Sequence, residues 1–185
     1  MTSQPFQIEE WRPAELNDAS VELDISMLAE LLRAVVYGGA GVSFFVPFPL
    51  DEARAFWTGN VLPGVQAGTR RVLVARQQGR IAGTVQINLA VPPNQQHRAD
   101  VAKLLVHPDA RRQGIARALM LAVEPLARSE RRTLLTLDTV SRGSAETLYL
   151  ELGYVAVGVI PRYARGSLTP ELEDTTVMYK ELAAG

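Results

Sequence analysis

The chain has 185 residues, 47% of them hydrophobic, which is enough for a sizeable core and excludes disorder as the main state. Cysteine is absent and only His97 and His107 carry imidazole, so disulfides, thiolate zinc sites, cysteine nucleophiles and multi-histidine metal centres are excluded together. A net charge of -1 gives no general attraction to nucleic acid, no run is long enough to span a bilayer, and no apolar segment follows the polar start, so a cytoplasmic single domain over residues 1–185 is expected.

Residues 6–11 read as a first strand with Phe6 and Ile8 on its apolar side, closed by Pro13. Over residues 20–36, Leu23, Met27, Leu28, Leu31, Leu32 and Val35 recur at helical spacing. Gly38, Gly39 and Gly41 follow a helix rather than a strand and no lysine follows them, so they are a helix stop and hinge, not a nucleotide loop. The aromatic, proline-bounded segment 44–49 has two readings, a core plug or a wall of an acceptor pocket. A second helix is expected over 50–60, with Asp51 and Glu52 suited to its first turn and Gly59 and Asn60 at its end. Strands over 71–77 and 81–89 are joined by a hairpin signal at Gln78, Gly79 and Arg80, and residues 91–96 form a loop.

The next strand, 99–106, ends in the apolar run Leu104, Leu105, Val106 and stops before Pro108, which cannot donate to a ladder. Arg111, Arg112, Gln113, Gly114, Ile115, Ala116 and Arg117 then lead into an amphipathic helix whose stripe is Ile115, Leu119, Met120 and Val123. A small-residue turn between strand and helix leaves backbone N–H groups unpaired beside the positive end of the helix dipole, which makes a cradle for pyrophosphate. This helix runs to about Ser129, with a kink or weakening expected at Pro125. A strand over 134–139, a short helix over 144–152 stopped by Gly153, and strands over 154–160 and 175–182 complete the order. The connection 161–174 is long for a hairpin and is expected to be a functional loop.

Two acids stand out. Asp100 lies near the start of the central strand, and Asp138 interrupts an apolar strand end, where a charged residue needs a partner. His97 and His107 lie on polar turns and are weak candidates for a base.

The spacing Arg111-x-x-Gly114-x-Ala116 resembles the Arg/Gln-x-x-Gly-x-Gly/Ala acyl-CoA signature of the GCN5-related N-acetyltransferases. The segment from Ser144 through Tyr149 to Tyr154 is similar to that family's Ala-x-x-Leu-Tyr-x-x-x-Gly-Phe helix. Segments around His97 to Lys103, Asp138 to Tyr149, Gly158 to Ala164 and Asp174 to Lys180 look like those of tabtoxin-resistance-type acetyltransferases. The resemblance implies an α/β chain of the α+β kind, with a central mixed sheet flanked by helices. It implies acetyl-CoA as cosubstrate, no metal, a small amine as acceptor, and direct attack in a ternary complex. By the same resemblance Leu104, Leu105, Val106, Arg111, Arg112, Gln113, Gly114, Ile115, Ala116, Arg117, Ser144 and Tyr149 contact the coenzyme. Tyr149 is the expected acid to the departing thiolate, and Asp138 and Asp100 are the acids near the amine. Many relatives carry asparagine where this chain has Arg142, which removes one usual coenzyme contact.

The implied acceptors are amino-acid-like or are antibiotic or toxin amines, with no nucleic acid or membrane partner, and a homodimer is allowed. Two other readings stand beside this one: a non-catalytic acyl-CoA sensor, and an acetylator of protein N-termini or ribosomal proteins. A sensor has no need of Tyr149 with nearby acids, and an acetylator of proteins needs an open groove.

Overall fold

The structure, a computed structural model, describes residues 6–183. Its strands are β1 (Gln7–Glu10), β2 (Arg70–Gln77), β3 (Arg80–Asn88), β4 (Arg98–Val106), β5 (Leu134–Val140), β6 (Val155–Arg165) and β7 (Leu172–Glu181). Its helices are α1 (Asp18–Tyr37), α2 (Leu50–Phe56), α3 (Leu62–Gln66), α4 (Ile115–Ser129) and α5 (Ser144–Glu151). The seven strands form one mixed sheet in the order β1-β2-β3-β4-β5-β7-β6. Only β4 and β5 run parallel. The expected mixed sheet with flanking helices is therefore the architecture found.

Local chemistry accounts for the elements. Asn17 caps α1 by accepting the Ser20 N–H at 2.9 Å, and the Gly38 N–H closes the helix on the Ala34 carbonyl at 3.0 Å. Gln78 and Gly79, at φ 50° and 76°, give the two-residue hairpin whose twist matches its strands. One sheet face packs on α4, through Ile115, Leu119 and Val123 against Val85, Ile87 and Leu135. The other packs on α1 and on the turn that follows α2, through Leu28, Leu32 and Trp57 against Val72 and Val74. At α4, Gly83 permits the close approach: a Cβ there would meet Ile115 Cγ2 at 2.8 Å and the Leu105 carbonyl at 3.0 Å.

Two expectations need correction. The second helix does not stop at Asn60. A π turn over Trp57–Val61 carries it into α3, and this wider turn lets Pro63 follow without breaking the chain direction. By contrast, α4 ends at Ser129 as expected, with Pro125 inside it. The connection 161–174 is mostly strand, because β6 runs on to Arg165 and β7 starts at Leu172. Pro161 fails to end β6 because β6 is an edge strand and its register shifts between Ile160 and Ala164, where no ladder N–H is needed.

Candidate active site

The sheet opens at its one parallel pair. β4 and β5 pair only through Arg98–Leu134, Ala99–Leu135 and Asp100–Thr136. Beyond that point β4 stays with β3 up to Val106 and β5 stays with β7 up to Val140, so the facing edges 101–106 and 137–140 part. Each parted edge presents backbone N–H and C=O groups without a ladder partner, suited to an extended amide-containing chain.

A bulge in β4 shapes the opening. Thr84 pairs with Leu105 and Gln86 with Ala102, so Val85 opposes both Lys103 and Leu104. Lys103 has φ 53°, a left-handed conformation that a lysine adopts only under constraint. The extra residue reverses the strand's phase. Before it, Ala99 and Val101 join the core against α4; after it, Leu104 and Val106 pack there while Leu105 also reaches the core against α1.

A cavity of about 470 Å³ fills the opening. Its sides are 101–104 of β4 and 138–140 of β5, with Ser144, Ala145 and Tyr149 of α5. Its far walls are the loop after α1, from Gly39 to Ser43 with Phe45, and the ends of β6 and β7. Gly41 lies so near β5 that a Cβ would meet Val140 Cγ2 at 2.7 Å. The loop is also tied to the β6–β7 connection, where Ser167 Oγ donates to the Ala40 carbonyl and the Val46 N–H to the Ser167 carbonyl at 3.2 Å. Both readings of the aromatic segment therefore have a part. Phe48 is a buried core residue, whereas Phe45 lines the cavity.

The turn before α4 has the expected open form. Arg111, Arg112, Gln113 and Gly114 are exposed. Gly114 stands at the N-cap with φ 85°, and a Cβ built on it would have nothing within 4 Å. The space above this helix start is thus free for an anion to approach the first N–H groups. Ile115 itself is a core side chain, 1% exposed, so only its backbone faces the turn. Arg117 pairs with Glu151, Gln113 bonds Gln77 at 2.8 Å, and Arg111 lies against the C-terminal end of α1 beside Gly38.

Of the other residues singled out from the sequence, Asp138, Ser144 and Tyr149 come together on the cavity. Asp100 does not join them. Its carboxylate is held by Arg98 and the Thr136 hydroxyl at the point where the strands part. Arg142 and His97 are exposed, and His107 Nδ1 accepts the Asp109 N–H at 3.3 Å; none of the three lines the cavity. Sequence reasoning missed Lys103 and Tyr163 as lining residues. A lysine inside the run from Ala102 to Val106 was the available signal.

Electrostatics distinguish these groups. Burial, and secondarily the Asp138 charge, holds the Tyr149 phenol far above its usual range, so it stays protonated. Burial lowers the Lys103 ammonium, and the Asp138 carboxylate partly offsets this. A buried proton donor, an acid and a basic side chain thus share one cavity, and the exposed turn at Gly114 opens the start of α4.

Residues 68–156 match the family model for the acetyltransferase (GNAT) domain. An uncharacterized N-acetyltransferase from the hisH-hisA intergenic region of Azospirillum brasilense is 31% identical over 117 residues, 62% of this chain and 67% of that one. A Salmonella typhimurium protein assigned as an acetyltransferase and solved with its cofactor acetyl-CoA superposes at TM-score 0.74, with 18% identity, over 98% of this chain and 96% of that one. A GCN5-related N-acetyltransferase from Kribbella flavida gives TM-score 0.74 and 22% identity, covering 96% and 98%. With the parted strands, the open turn and the Tyr149 helix, these matches make the chain a member of the GCN5-related N-acetyltransferase family.

Proposed function

We propose that the protein transfers the acetyl group of acetyl-CoA to the primary amine of a small molecule, by direct attack in a ternary complex. The acceptor is amino-acid-like, or is the amine of an antibiotic or toxin. The observation that carries this reading is that Tyr149 and Asp138 face one cavity where β4 and β5 part. The turn at Gly114 fits a pyrophosphate by its open space and free N–H groups, and the parted edges fit an amide-bearing arm. The Salmonella protein of the same fold, solved with acetyl-CoA, supports the choice of donor.

The thioester of acetyl-CoA supplies the activated acyl group. An acceptor ammonium has a pKa near 10.4 and must lose a proton before its nitrogen attacks. Asp138 attracts the ammonium and accepts that proton, directly or through water. As the C–N bond forms and the C–S bond breaks, Tyr149 donates a hydrogen bond and then its proton to the departing thiolate. Asp100, engaged by Arg98 and Thr136, has no share in the proton transfer, so the acid role narrows to Asp138.

The test is acetyl-CoA-dependent thiol release with a panel of amino acids, polyamines and amine antibiotics, the product identified by mass. Formation of an N-acetylated small amine is expected. Coenzyme binding without turnover would favour a sensor, and acetylation confined to peptide N-termini would favour a protein acceptor.

A further inference from the structure

Four charged side chains line the cavity, and none of them forms an ion pair among the described residues. Arg165 and Glu173 sit one register step apart on β6 and β7 and have opposite sign, so that wall is close to neutral. Lys103 and Asp138 stand on the two parted strands. Neither forms an ion pair with any residue, or with the other, among the described residues.

Lys103 is held there at a cost. The bulge keeps its backbone in the left-handed region, where a side chain other than glycine or asparagine is strained. Its ammonium is half-buried over the rings of Phe44 and Phe56, at 5.9 and 5.8 Å from their centroids. Its one hydrogen bond is to Ser43 Oγ at 3.4 Å, a long one. A cation partly removed from water with aromatic faces and one weak acceptor is under-compensated. Burial lowers its pKa accordingly, as expected of an ammonium awaiting an anion.

We propose that Lys103 binds the carboxylate of the acceptor, so that the substrate is a zwitterionic amino acid whose amine lies toward Asp138 and whose carboxylate lies toward Lys103. This rests on the small-amine reading above and narrows it. The two cavity charges then each gain a partner of opposite sign. The bulge that strains Lys103 is what turns its side chain into the opening between the strands. A simple cationic amine would satisfy Asp138 and leave Lys103 as it is.

The experiment measures kcat/KM for the standard primary-amine L-amino acids, each beside the amine left when its α-carboxyl is removed. It uses the wild type, Lys103→Met and Lys103→Arg, with acetyl-CoA binding by calorimetry as a control for folding. In the wild type the accepted amino acid is expected to exceed its decarboxylated counterpart by ~10-fold or more, as one charge-assisted contact supplies. Lys103→Met is expected to erase that preference through KM rather than kcat, and Lys103→Arg to keep most of it. Equal or better use of decarboxylated amines by the wild type overturns the proposal while leaving amine transfer intact, and it needs no variant. An unchanged preference in Lys103→Met that still binds acetyl-CoA also overturns it. Failure of every compound of both kinds overturns this proposal and leaves the small-amine reading to be decided by the amine antibiotics of the panel above.

Discussion

Three glycines separate backbone strain from coenzyme contact. Gly114, Gly68 and Gly59 share one property: a Cβ built on any of them meets nothing within 4 Å. Alanine at these sites therefore changes stability only through the backbone. Gly114 and Gly68 have φ 85° and 71°, where an alanine costs about 1–2 kcal/mol. For a chain of this size each kcal/mol shifts Tm by about 2–4 °C, so both variants should melt about 2–8 °C lower. Gly59 lies inside a helical turn without a positive φ, so Gly59→Ala should be neutral or stabilising by about 0.5–1 kcal/mol. Only Gly114 stands at the start of α4. Gly114→Ala should weaken acetyl-CoA binding in calorimetry, and Gly114→Glu, adding bulk and negative charge, should abolish it. Gly68→Ala, equally destabilised, should bind as the wild type does. If Gly114→Ala and Gly68→Ala lost coenzyme affinity equally, the effect would be general destabilisation and the phosphate-site assignment would fall.

Tyr149→Phe removes a proton donor with little volume, so turnover should fall ~10²–10⁴-fold while acetyl-CoA affinity holds; wild-type turnover would point to water as the acid. Asp138→Asn keeps the shape and removes the charge, so kcat/KM for the amine acceptor should fall without loss of coenzyme binding, and unchanged kinetics across pH would exclude Asp138 from the reaction. Tyr149 and Tyr154 are both buried, and burial raises both phenols above the unfolded value of about 10. The folded state keeps protons that the unfolded state loses, so their contribution is complete below about pH 10 and declines above it, by about 1.4 kcal/mol per pH unit for each. Denaturant melts from pH 9 to 11 should show this decline, and the Tyr149→Phe and Tyr154→Phe double variant should flatten it; an unaltered slope would contradict the burial argument.

Much of this was legible in the sequence where one local signal decided the outcome. Ile115, Leu119, Met120 and Val123 gave α4 its face and Gly114 its start, and both stand in the structure. Gln78 and Gly79 gave the hairpin, since few residues accept two successive positive φ values. The misreadings came where tertiary position overrides a local rule. Pro161 is a stop signal by itself, but an edge strand with a register shift has no use for its missing N–H. Gly59 and Asn60 read as a helix end because nothing local announces a π turn. Resemblance alone places Asp100 with Asp138 near the amine, whereas Arg98, two residues earlier on the same strand face, was legible in the sequence as its partner. The bulge at Lys103 is invisible in the sequence, because it follows from how β3 and β4 register with each other.

The central claim is that the parted strands and the turn before α4 hold the acyl donor beside Tyr149 and Asp138. A crystal structure with acetyl-CoA tests it most directly. The account predicts the pyrophosphate on the backbone N–H groups of residues 112–117, the amide-bearing arm between 101–106 and 137–140, and the thioester sulfur next to the Tyr149 hydroxyl. A coenzyme seated away from the Gly114 turn, or a thioester remote from Tyr149, would contradict it.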